Sequence, residues 1–166
     1  MIIENIIGSN IQTVLGNILE GWYQVKDEKE KKQLMVLALQ IELKYNMDLL
    51  DCYNLKNTKA QEFNYSALIN LLSSEAMGSF FKYEKETKGA WAEFSKKIIG
   101  LVYKENDKFD ENEAAIVHVY KTIAVLKALT IISSQEGPNP HIQFNKRLKN
   151  LQKRILFLYS QLNLIR

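Results

Sequence analysis

Apolar residues recur at steps of three and four along most of the chain, and that period predicts helices. Ile7, Ile11, Val14, Ile18 and Trp22 line one face of a first helix, running from Ile2 or Ser9 to Tyr23. Leu34, Leu37, Ile41, Tyr45 and Leu49 keep the same spacing in a second helix, which reaches about Leu55. Asp27 and Glu30 open it as a D-x-x-E capping pattern. From Lys56 to Glu86 the period loosens. NTKAQEFNYS reads as a loop, Ala67–Ser73 as a short helix and Gly78 as a break. A fourth helix begins near Thr87, with Trp91, Phe94, Ile98 and Leu101 as its buried stripe.

Asp110, with Glu113 three residues on, caps a fifth helix that continues to Ser133. Its run IVHVYKTIAV is rich in β-branched residues but lacks alternation and a neighbouring hairpin turn, so it reads as helix. Apolar residues lie almost all the way round it, which predicts the central element of the fold. Asn139 caps the terminal helix and Pro140 stands in its first turn. Phe144, Leu148, Leu151, Ile155, Leu158, Leu162 and Ile165 then form a seam repeating every seven residues. The expected architecture is all-α: one domain, residues 1–166, built as a bundle of five to six helices with a long amphipathic terminal helix.

Composition sharpens this outline in few places. With 166 residues, 46% hydrophobic and 25% charged, the chain suits one globular domain rather than a disordered segment. Prolines occur only at positions 138 and 140, so nothing else interrupts the helices. The single cysteine, Cys52, excludes an internal disulfide, fits a cytoplasmic setting and reads as a small packing residue. The first basic residue is Lys26, so the N-terminal stretch lacks the basic region of a signal peptide. Glu4, Asn10, Gln12, Asn17 and Glu20 interrupt that stretch, and no membrane span is expected.

Charge is distributed unevenly. Residues 141–166 hold six basic residues and no acid, and the rest of the chain is net −3. On the terminal helix Lys146, Lys149 and Lys153 lie opposite the seam, with Arg147 and Arg154 on its flank. A solvated face accounts for them, and phosphate contact is the alternative. Only Phe157 lies among these cations as a stacking aromatic, which disfavours single-stranded nucleic acid. Phe157 and Leu164 fall off the seam, so a second side of the helix needs covering by another segment or by a partner. Either that side or the apolar face of helix one is expected to join a second copy in a two-fold dimer.

The sequence carries no recognised catalytic motif. The seven glycines form neither a dinucleotide fingerprint nor a P-loop. His118 and His141 lack the spacing of zinc or di-iron ligands, and KENDKFDENE lacks the glycine and ligand pattern of a calcium loop. Small helical nucleases of the HEPN class pair an arginine with a histidine four to six residues later, and neither histidine here is so placed. His118 therefore reads as a core or boundary residue and His141 as exposed. No cofactor, metal or catalytic residue is expected.

Glu42 and Asn46, one turn apart on a partly apolar face, stand out as a structural polar pair that needs partners across a helix interface. Asp48 and Asp51 lie at other angles and do not complete a carboxylate cluster. The stretch IELKYNMDLL around the pair, following an apolar N-terminal helix and the charged KDEKEKKQ segment, resembles uncharacterised bacterial helical proteins over the first 55 residues. The resemblance implies a bacterial source and brings no activity with it. In those proteins the first helix often anchors in a membrane, whereas helix one here is too polar to do so. The expected function is a non-enzymatic helical interaction protein, with a nucleic-acid accessory role as the alternative.

Overall fold

The computed structural model describes residues 2–52, 65–83, 89–104, 113–136 and 143–165, with the backbone alone at 2–9 and 90. These residues form seven helices: α1 (Ile2–Gln24), α2 (Glu28–Cys52), α3 (Tyr65–Leu71), α4 (Glu75–Tyr83), α5 (Ala90–Ile99), α6 (Ala115–Glu136) and α7 (Phe144–Leu164). The all-α expectation holds, and no strand occurs among the described residues. Extended pairing is limited to one antiparallel bridge between Val102 and Ala114, where the Ala115 N–H also donates to the Leu101 carbonyl at 2.7 Å.

The central element is α2, not the apolar α6. It packs against α1, α4, α5 and α7, and buries Met35, Leu39, Leu43, Leu49 and Leu50. Its capping pattern forms as read, with the Glu30 N–H donating to Asp27 Oδ1 at 2.8 Å. By contrast, α6 buries one stripe, Ile116, Val119, Ile123 and Leu126, and leaves Val125, Ile131 and Ile132 exposed. Helix α6 meets α3, α4, α5 and α7 through that stripe, and the apolar residues beyond it face solvent. By length and composition α6 is also apolar enough to cross a membrane, with a mean hydropathy of 1.7. Its Ile, Val, Leu and Ala residues outweigh Lys121, Lys127 and the threonines between them.

Other boundaries shift for identifiable reasons. On α1 the buried face is Leu15, Leu19 and Trp22, rotated so that Val14 is exposed. Gly78 does not break the chain; it lies inside α4, where the Tyr120 ring packs 3.7 Å from the position its Cβ would take. The short helix begins at Tyr65 and ends at Leu71, which frees Ser73 for the turn before α4. Helix α5 starts at Ala90 rather than near Thr87. Gly89 precedes it with φ 74°, and a Cβ there would meet Glu28 Oε2 at 2.7 Å. Cys52 is exposed at the end of α2, not packed. Helix α6 begins at Ala115, directly after Ala114 of the bridge, and α7 at Phe144 with Gln143 as its N-cap residue, so both start later than the caps read at Asp110 and at Asn139 with Pro140 require. Those residues, the end of helix two at Leu55 and His141 lie outside the described residues. Glu113 is described, and it precedes α6 by pairing with Lys121 and His118.

One end of the core is aromatic. Trp22 meets Tyr83 at 4.8 Å and Trp91 at 5.6 Å between ring centroids, which ties α1, α4 and α5 together. Lys31 of α2 stands 4.8 Å over the Trp22 ring.

Candidate functional site

Glu42 and Asn46 are both fully buried, and they act on the same short segment. Asn46 brackets Ser73: its Nδ2 donates to the Ser73 carbonyl at 2.7 Å, and its Oδ1 accepts the Ser73 N–H at 2.8 Å. Glu42 accepts the Ser73 hydroxyl at 2.8 Å and the Ala76 N–H at 3.0 Å on Oε1, and the Met77 N–H at 3.0 Å on Oε2. Its carboxylate thus caps the first turn of α4 from another helix, satisfying backbone donors that have no intrahelical partner. Burial pushes the Glu42 carboxyl above its ordinary value, more than these hydrogen bonds lower it. The pair is a clamp joining α2 to the α3–α4 turn. Asp48, paired with Lys44, and Asp51, which accepts from Gln152, face elsewhere as expected.

On α7 the seam closes onto the core: Leu148, Leu151, Ile155, Leu158 and Leu162 are buried, while Phe144 and Ile165 pack partly. Lys146, Lys149 and Lys153 are exposed, as the wheel predicts, and so is Arg147. Arg154 departs from the flank assigned to it and is buried, with its guanidinium 5.5 Å from the Tyr103 ring centre. Phe157 and Leu164 separate in fate. The segment after α5 covers Phe157, whose ring meets Tyr103 edge-on at 5.4 Å. Leu164 has no such cover and is 77% exposed.

Two apolar grooves flank the contact between α2 and the end of α7, and the sequence pattern did not reveal them. One, of about 380 Å³, lies between α1, α2 and α7 and is lined by Ile11, Val14, Ile41, Tyr45 and Tyr159, with the Lys44–Asp48 pair also bordering it. The other, of about 420 Å³, is lined by Val36, Leu37 and Ile165, with Lys29 and Lys32 among its bordering residues. Gln40 borders both, and its side chain donates to Asn163 Oδ1 of α7 at 2.8 Å. Val14 and Leu37, a residue in each groove, are 41% and 43% exposed. The exposed members of two predicted stripes, Val14 and Leu37, were the available signal.

Among the described residues no group of three or more His, Cys, Asp or Glu is arranged to hold a metal ion. Comparison with protein-family models, with curated proteins and with solved structures finds no match to this chain.

Proposed function

We propose that this chain is a non-enzymatic helical interaction protein that pairs with a second copy of itself through the surface around the end of α7. The observation that carries the proposal is the exposed Leu164 in the last turn of α7, next in sequence to Ile165 of one open groove and to Asn163, which bonds Gln40 at the border of both. A two-fold interface must be self-complementary, and a knob adjacent to a hole on one surface meets that requirement. Leu164 of each copy then enters a groove of the other, and Val14 and Leu37 lose their exposure. Phe157 takes no part, since Tyr103 already covers it. Sedimentation of the chain and of Leu164→Glu tests the pairing, and a monomer at micromolar concentration contradicts it. A bacterial cytoplasm as the setting rests on the IELKYNMDLL resemblance and the single cysteine.

A second reading is favoured by the exposure of Lys146, Lys149 and Lys153 along one face of α7. Three phosphate contacts with duplex nucleic acid correspond to a slope of about 2.7 in log affinity against log salt. Replacing all three with Gln removes that dependence under this reading. Phe157 supplies no stacking platform, because its ring is engaged by Tyr103. The pairing reading therefore predicts no such binding at physiological salt.

A further inference from the structure

While one side of α6 is held in the core, the other shows aliphatic side chains to solvent: Val125 is 47% exposed, Ile131 58% and Ile132 45%. Val125 and Ile132, seven residues apart, stand on the same side of the helix. Helix α7 packs beside α6, and Val125 and Arg147 line one cavity between the two. Arg147 therefore shares a side with the aliphatic row. Lys146 and Lys149, both exposed, stand next to it in the first two turns of α7. Those cations do nothing for α7 itself, because they sit where the helix dipole is positive and no acid stands in the first turn. The chain does not neutralise them either. Positions 114–166 hold eight Lys or Arg and a single acid, Glu136. Among the described residues Lys146, Arg147 and Lys149 form no ion pair. Glu113 is committed to Lys121 and His118, and roughly 28 Å of helix separates it from Ile132, well beyond the screening length.

We propose that the end of the α6–α7 pair, where α6 finishes and α7 begins, seats on an anionic membrane surface. Val125, Ile131 and Ile132 enter the interface, and Lys146, Arg147 and Lys149 meet the lipid phosphates. A bilayer with acidic lipids covers the apolar and the cationic groups together. Duplex nucleic acid meets the cations and leaves the isoleucines in water. A protein partner is anchored by aromatic side chains and avoids lysine, whereas this surface is aliphatic and lysine-rich. A second copy is disfavoured, since a two-fold contact here sets the same cations against each other. The buried stripe of Ile116, Val119, Ile123 and Leu126 keeps α6 in the fold, so the helix lies on the bilayer and does not cross it. About 25 Å of α7 separates this surface from Leu164, so membrane contact and pairing are independent.

Flotation of the full chain with lipid vesicles tests the proposal. One set is phosphatidylcholine alone, and the other carries about 30% phosphatidylglycerol. At about 1 mM lipid and about 0.1 M salt the wild type should float with the acidic vesicles and not with the neutral ones. Replacing Lys146 and Lys149 with Gln should lower partition about 30-fold, at roughly 1 kcal/mol per lysine. Replacing Ile131 and Ile132 with Gln should lower it at least about tenfold through lost apolar burial. Lys96→Gln with Lys97→Gln makes the same charge change on α5 and should leave partition within about twofold of wild type. All six positions are exposed and Gln suits a helix, so the fold is kept. No flotation of the wild type, or equal flotation with both vesicle sets, overturns the proposal. A loss in the Lys96 and Lys97 pair equal to that in the Lys146 and Lys149 pair overturns it, because net charge then decides. Flotation retained in the isoleucine pair overturns it as well, since charge alone then holds the chain. Binding of duplex DNA with the vesicles left unbound assigns the cations to nucleic acid instead.

Discussion

Replacing Glu42 with Gln separates the two roles of the buried carboxylate. In the native chain burial raises its affinity for a proton, against the opposing pull of the Ser73, Ala76 and Met77 hydrogen bonds. A carboxyl raised in the folded state contributes its full stability below the ordinary glutamate range and loses it as pH climbs through the native value. While the unfolded chain is ionised and the native chain is not, stability falls by up to about 1.4 kcal/mol per pH unit. Gln carries no such dependence. It also replaces one carboxyl oxygen, Oε1 that meets Ala76 or Oε2 that meets Met77, with an NH2 group that cannot accept a hydrogen bond. One buried N–H is left without a partner, at a cost of about 1–3 kcal/mol. Urea unfolding of both proteins between about pH 4 and pH 8 should show Glu42→Gln the less stable at the acid end, with the difference narrowing as pH rises. A difference that stays constant across that range would refute a desolvated, proton-retaining Glu42.

Asn46→Ala removes both bonds to Ser73 and should lower stability by about 1–3 kcal/mol in denaturant unfolding, with sedimentation unchanged. Phe157→Ala strips the edge contact with Tyr103 and should cost about 1–2 kcal/mol by the same measurement. Leu164→Glu, at a side chain 77% exposed, should leave monomer stability within about 0.5 kcal/mol of wild type.

The terminal seam could be read from its seven-residue spacing, because a helix that buries one stripe repeats that stripe in sequence. The Glu42–Asn46 pair could also be read, since two polar residues a turn apart on an apolar face must be satisfied. What satisfies them could not. Their partners are backbone groups and a hydroxyl at Ser73, Ala76 and Met77, which lie 27 to 35 residues away. Backbone donors look alike in every sequence. The centre of the fold was misassigned for a related reason. Hydropathy marks α6 as an apolar helix, but centrality depends on how much of a helix its neighbours cover. Helix α2, with a charged first turn and polar residues throughout, buries nine residues, whereas α6 buries six. Arg154 shows the same limit, because a wheel position on the seam's flank cannot reveal that Tyr103 folds over it.

The pairing of two copies through the end of α7 is tested most directly by sedimentation velocity over a micromolar concentration series. The wild-type chain should approach twice its 19.3 kDa mass as concentration rises, and Leu164→Glu should remain at 19.3 kDa throughout. A wild-type chain that sediments as a monomer at every concentration, or a dimer indifferent to Leu164→Glu, would contradict the account.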